Sequence, residues 1–339
     1  MKTAHLDKKH HHYVPSIYMK GFVAPGERIF AYRKDNPEKP LHLPPENIAL
    51  ENYYYSFDRP DGARDNHQWE DLFSTFEDRW PDVLKTLRKQ DHTTLAANWF
   101  MFGFIAAMRA RVPAAREFNA GLMAVDLRQG VKSLAAIGKL PAQLKRYEHE
   151  LDTVPVGINP QRTIAKMTDD MRAFGDLSLR IGFEVLHNRT GQAFITSDNP
   201  VTYFDPKSPE YRMTPYTVED TIEFFFPISH DMALRGSHKL KPYSRVVRHR
   251  EVFDDGVVRK INRITARFGY RLILAANRSV DRLVKLHAAS SPVLWTEVRG
   301  TPHDIQIHYG HRFGERPSLT KYVADGERLR FDRDDESST

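Results

Sequence analysis

Three consecutive histidines, His10 to His12, run directly into Tyr13-Val14-Pro15. Proline biases the residue before it toward an extended backbone. An extended run would point His10 and His12 one way and His11 the other. An H-x-H pair on one face can ligate a divalent metal, and imidazole is the usual general base near neutral pH. The structural alternative packs one histidine under the core, bonded to a backbone carbonyl, while its neighbour meets solvent. A second pair of chemical groups is Glu70 and Glu77, one heptad apart. On a helix they share a side, where two carboxylates can hold a hard cation or divide acid and base work. They can equally pair with Arg109 and Arg111 from a following helix, because guanidinium competes for the same oxygens. Third is Ser197-Asp198-Asn199-Pro200 after an apolar run. Loops at strand ends deliver polar groups to sites, so Asp198 suits a ligand or base and Asn199 a donor to a phosphate or carbonyl. The same four residues also suit an Asx turn bonded to its own backbone. Ser197 lacks a G-x-S-x-G elbow and is not read as a nucleophile.

A fourth feature is charge. Between Arg235 and Lys285 stand fourteen Lys or Arg against four Asp or Glu, a local net of +10 on a chain whose net charge is +6. Arg259, Arg263, Arg267 and Arg271 recur every fourth residue there, a spacing that lines one helix face and can contact phosphates. The bland reading is a solvated basic face. No zinc finger, RNA-recognition motif, Walker loop or dinucleotide glycine fingerprint accompanies it. His303, His308 and His311 are read as surface residues.

These groups need elements to position them. The chain has 339 residues, 40% of them hydrophobic, enough to bury a core without staples. It has no cysteine, which excludes disulfides, zinc thiolates and thiol nucleophiles and fits a reducing cytoplasm. The N-terminal residues show no signal-peptide h-region, and the longest apolar run, Trp99 to Met108, is too short to span a bilayer. A cytoplasmic protein without membrane contact is expected.

Residues 28–33 predict a strand, and 36–47, with four prolines, an extended loop. Residues 48–57 predict a further short strand. Asn66 could cap a helix from His67 to Leu87 that Pro81 kinks or splits. Thr93 or Thr94 opens a helix to about Arg111, and others are expected over 114–136 and 141–151. Strand-like alternation over 179–187, a turn at 188–191 and a strand at 192–196 predict a hairpin. Strands at 223–227 and 232–235 flank a tight turn, after a loop over 205–220. The arginine-bearing stretch 257–277 predicts one long helix. The fold class is α+β: a helical middle, about 66–152, packed with a mixed or antiparallel sheet from N-terminal and C-terminal segments, and a β-rich part at about 176–236. One domain over 1–316 and a charged tail over 317–339 are expected.

Several segments together resemble a family of bacterial proteins of unknown function that open with HHYVP. They are His11-His12-Tyr13-Val14-Pro15 with Ser16 to Phe22, Pro45 to Ala49, Tyr54-Tyr55-Ser56, Glu70 with Glu77, Arg109 to Pro113, Phe194 to Val201, Phe226 to Ser229, and Asn262. The resemblance spans residues 11 to about 276. Met108 stands where the family pattern leads one to expect glutamine. The resemblance implies one intact family domain, often near mobile or defence-related genes, and no assigned activity.

Two functions follow as expectations. The first is metal-assisted hydrolysis of a phosphodiester, nuclease-like, with Mg2+ or Mn2+. His11 or His12 would be base or ligand, His12, Asp198 and Glu70 the metal ligands, Asn199 a donor and Arg109 an electrostatic clamp. Arg259, Arg263, Arg267 and Arg271 would receive nucleic acid or another polyanion. The second is a non-enzymatic nucleic-acid or protein binding module, in which the same motif residues form a structural polar network. Burial decides between them: a convergent open cleft favours catalysis, sealed and mutually bonded groups favour structure.

Overall fold

The computed structural model describes residues 10–23, 26–59, 61, 64–65, 67–208, 222–240, 247–301 and 304–323. It is α+β, as expected, with helices and several sheets. A five-stranded mixed sheet runs in the order Arg248–Val252, Gly182–Asn188, Met232–Ser237, Glu223–Ser229, Thr202–Phe204; only its first pair is parallel. A four-stranded antiparallel sheet joins the N-terminal strands Asn36–Leu43 and Ile29–Arg33 to Leu272–Ala275 and Thr196–Ser197. His10–His12 pairs with Leu50–Asn52, with His11 opposite Glu51.

The helical middle follows local signals. The Asn66 cap lies outside the described residues. Asp65 does the capping, its Oδ1 accepting from the backbone N–H of His67 and of Gln68, both at 2.9 Å. The chain then breaks between Gln68–Glu77 and Trp80–Arg88, with Pro81 in the first turn of the second helix, where its missing N–H needs no partner. Thr94 caps Leu95–Arg111 by accepting from the Ala97 N–H at 3.1 Å. Pro113 starts Pro113–Ala136, and Ala142–Glu150 is a 3-10 helix.

Helices from this region cover one face of the five-stranded sheet. Trp80 stacks on Phe104 at 4.1 Å between ring centroids, and Tyr18 stacks on Phe226. These four side chains are fully buried. Truncating aromatic side chains at such positions typically costs about 3–5 kcal/mol each. Asp255–Phe268 covers the other face, through Val258, Ile261, Ile264 and Phe268 against Leu186, Phe204 and Phe225. No helix among the described residues is long and apolar enough to cross a membrane.

Three expectations about elements fail, each for a physical reason. The proline-rich 36–43 stretch is a strand, not a loop; it lies at the edge of its sheet, where a missing N–H breaks no ladder. Residues 182–188 and 192–196 do not form a hairpin. Gly182–Asn188 takes Met232–Ser237 as its antiparallel neighbour, while Thr196–Ser197 crosses into the other sheet. The long helix over 257–277 ends at Phe268; Gly269 is extended, and Leu272–Ala275 is a strand. Of the histidines read as surface residues, His308 is exposed and His311 is partly buried against Phe268 and Phe313, both in the hairpin Ser291–Thr301 with Asp304–Gly314; His303 lies outside the described residues. The 205–220 loop is described only to residue 208, and the tail only to residue 323.

Candidate functional site

The motif residues fall into two polar networks. The first gathers the early histidines, the paired glutamates and Arg111. Alternation along His10–His12 is as the sequence suggests: His10 is exposed, His11 fully buried, His12 between. His11 Nδ1 accepts the Tyr55 N–H at 3.0 Å, and the two rings stack 5.5 Å apart. His12 Nε2 lies 3.1 Å from the Glu46 carbonyl oxygen, and Tyr55 donates its hydroxyl to the His12 carbonyl. Burial holds the His12 imidazole below its ordinary value, although the Glu77 carboxylate pulls it back up. Arg111 is 2% exposed; it donates to Glu77 Oε1 at 2.7 Å and lies 4.7 Å from the Phe73 ring centroid. Glu70 adds a further favourable charge to Arg111.

Arg109 lies on the other side of the same helix from Arg111. Two residues along a helix is about 200° of rotation, so Arg109 and Arg111 cannot both face the glutamates. Arg109 instead lies 5.5 Å from the Tyr203 ring and near Asp170, whose carboxyl is raised by burial. The cavities it lines measure about 20 and 30 Å³, room for solvent and not for a substrate.

The second network is centred on Asp198, which is completely buried. Its Oδ1 accepts from the Tyr270 N–H and its Oδ2 from the Arg271 N–H, both at 2.7 Å, while its own N–H donates to the Leu272 carbonyl at 3.2 Å. Burial raises its carboxyl above the usual range despite these donors. Asn199 donates to the Phe268 carbonyl at 2.9 Å. Asn262 accepts from the Ile195 N–H and donates to the Ala193 carbonyl, which ties helix Asp255–Phe268 to the residues leading into strand Thr196–Ser197. Thr196, in that same strand, is 2.6 Å from the Tyr18 hydroxyl, which also donates to the Pro227 carbonyl. The sequence motifs thus meet one another, but as fasteners.

The expected metal set does not assemble. Both oxygens of Asp198 are already engaged by backbone donors, and Glu70 and His12 belong to the other network. Among the described residues no three His, Cys, Asp or Glu side chains are grouped to hold an ion. The arginine face is also dispersed. Arg259 lies 3.8 Å from Asp255, and Arg267 stacks 4.1 Å from the Phe313 ring. Beyond the helix end, Arg271 donates to Glu51 at 2.9 Å and to Glu117.

That last pairing marks an opening which the sequence did not single out. Glu51, Glu117 and Arg271 line a cleft of about 650 Å³, with Tyr53, Tyr54 and Arg116 also on its wall and small or apolar residues of Pro113–Ala136 at its side. The size is that of an organic-ligand pocket. Asp198 helps build this wall indirectly, because its carboxylate fixes the backbone that presents Tyr270 and Arg271. Tyr270 in turn bonds Glu117. Arg116 sits 4.3 Å over the Tyr54 ring and donates to three neutral oxygens: Tyr54 O, Thr163 Oγ1 and Pro160 O. Its charge therefore borders the cleft without a carboxylate in those bonds. The one sequence signal for Arg116 was its place just after the Arg-Val-Pro segment.

Lys34 lies behind the Asp198 network. It is buried, donates to the Gly269 carbonyl at 2.8 Å, and is pushed down to about 7 chiefly by burial. His287 is nearby and is held at about 4 by burial, then by the charges of Lys34, Arg267 and Arg263. The folded imidazole stays neutral where the unfolded one, near 6.5, takes up a proton. The unfolded chain then binds more protons, so this residue removes stability as pH falls from 6.5 to 4. In His287→Gln the melting temperature should fall less steeply across that range than in the parent. Parallel curves for the two proteins would refute this role.

The model of a family described as "Protein of unknown function (DUF4238)" matches residues 10–279. No curated protein and no solved structure matches the chain.

Proposed function

Because this chain belongs to the DUF4238 family, whose description names no reaction, we propose its function from the site alone: a non-enzymatic binding module whose cleft takes a ligand carrying an anionic group. The observation that carries this reading is the cleft of about 650 Å³ with Arg116 on its wall, its nitrogens donating to neutral oxygens among the described residues and its guanidinium carbon 4.3 Å from the Tyr54 ring centroid. A guanidinium stacked on an aromatic ring is preorganised to receive a carboxylate or phosphate. The motif residues serve the fold around it, since His11, Asp198 and Arg111 are buried and bonded. The basic stretch from Arg235 to Lys285 supplies a field that draws an anion or polyanion in, nucleic acid included. A cysteine-free chain suits a reducing cytoplasm.

The test is calorimetric titration with nucleoside phosphates, dicarboxylates and short oligonucleotides. Ala124→Trp would fill the cleft from the side of Pro113–Ala136. At least one anionic compound should bind the parent chain and bind Ala124→Trp at least tenfold more weakly. No binding across the panel, or equal binding by the two proteins, removes the proposal.

Metal-assisted phosphodiester hydrolysis is the second reading. It is favoured by one observation, the half-buried His12 imidazole in the field of the Glu77 carboxylate. Cleavage of DNA or RNA that needs Mg2+ or Mn2+ and disappears in His12→Ala, at unchanged stability, would establish it over the binding reading.

A further inference from the structure

One wall of the cleft is made by residues that the family match does not reach. The match ends at residue 279, whereas Leu319, Thr320, Lys321 and Tyr322 line the opening together with Arg116 and Glu117. This segment starts from a fixed point. Arg316 donates to the Tyr270 carbonyl at 2.6 Å, and its guanidinium lies 5.7 Å from the Tyr270 ring. Ser291 donates to the same carbonyl at 2.8 Å, so the anchor is tied to the turn that Asp198 holds.

Residues 317–323, past the anchor, have neither helix nor strand and are mostly exposed. Leu319 is 47% exposed and Tyr322 36% exposed. What seats it is shape. A Cβ built on Gly157 would stand 3.0 Å from both the Lys321 carbonyl oxygen and the Tyr322 Cα, so the two backbones touch where the absent side chain makes room. A segment that is seated by backbone contact, anchored at one end and weakly buried is held by a small free energy and opens locally before the body does.

We propose that residues 317–323 are a displaceable strap that gates the cleft and regulates entry of its ligand. The proposal rests on the cleft being the binding site. Anion entry past Arg116 requires the strap to leave Gly157, with Arg316 as the pivot. The strap is thereby an intramolecular competitor, and its occupancy lowers the apparent affinity by the fraction of time the cleft is open.

The chain has no native cysteine, so a single introduced thiol reports without background. Ala124→Cys places that thiol in the cleft. Its reaction rate with a bulky disulfide reagent is then compared in three full-length proteins: the parent Ala124→Cys, the same with Gly157→Val, and the same with Leu319→Asp and Tyr322→Asp. Both strap-releasing variants should react at least tenfold faster, with melting temperatures showing the body intact. Gly157→Val acts by collision and the double aspartate by lost apolar contact; if one fails to fold, the other still decides. Equal rates in the parent and in either folded variant would overturn the strap. The readout uses no ligand. Faster labelling without any anion binding would remove the binding reading alone, and anion binding with equal labelling would remove the strap alone.

Discussion

Arg111→Met should lose about 3–5 kcal/mol of stability in urea unfolding at neutral pH, the usual penalty for leaving one half of a buried pair behind. Arg111 is 2% exposed, and its partner Glu77 is 29% exposed at the side chain. Methionine fills similar space over Phe73 but brings no charge, so Glu77 and Glu70 lose the cation that attracts both. Glu77→Gln should lose at least as much, since it leaves the deeper-buried guanidinium without its bonded carboxylate. The double variant should recover part of the loss, because the orphaned charge is then gone. A loss below about 1 kcal/mol for Arg111→Met would mean that the pair is dispensable and that its place in the motif has another cause.

The second large effect concerns Asp198. Two backbone donors at 2.7 Å converge on a carboxylate that is fully buried. Bonds to a charged acceptor contribute about 1.5–3 kcal/mol each, so Asp198→Ala should cost about 3–6 kcal/mol by the same unfolding measurement. The expected damage extends beyond stability. Arg271 and Tyr270 would lose their fixed backbone, and with it the arrangement with Glu51 and Glu117 on the cleft wall. Asp198→Asn keeps one acceptor and should show an intermediate loss. Its pH dependence has a definite sign. Burial holds the native carboxyl above its ordinary value, so the folded state binds that proton where the unfolded chain does not. This contribution is present at acid pH and is lost as pH rises through the folded value, and it should vanish in Asp198→Asn. A parent and variant with matching acid limbs would contradict that assignment.

What the sequence made legible was local. Thr94 and Pro81 announce their helix boundaries through the chemistry of the first turn, where free N–H groups need an acceptor or a residue without one. The alternation of His10 to His12 follows from a two-residue period and was readable from Pro15 onward. What stayed hidden was relational. Apolar and arginine spacing continues past Phe268 into Leu272–Ala275, so periodicity alone joined a helix to a strand; Gly269 was the only punctuation. The strands at 182–188 and 196–197 look like hairpin partners because they are neighbours in sequence, yet they belong to different sheets. The candidate site shows the same division. Polar residues without a local packing purpose stand out in the sequence, but residue type cannot distinguish an aspartate that meets a metal from one that meets two backbone amides. Arg116 and Glu117 went unremarked because the cleft they line depends on chain contributions from near residues 50, 160, 271 and 320 at once.

The account turns on Asp198 acting as a fastener that shapes the cleft wall, and amide hydrogen exchange at residues 270 and 271 reads that role at its two points of contact. In the parent chain these amides should be among the protected ones. In Asp198→Asn at least one should exchange roughly 10- to 100-fold faster, the equivalent of about 1.5–3 kcal/mol for a bond to a charged acceptor. Unchanged protection at both positions would contradict the account, and would return Asp198 to the list of residues free to do chemistry.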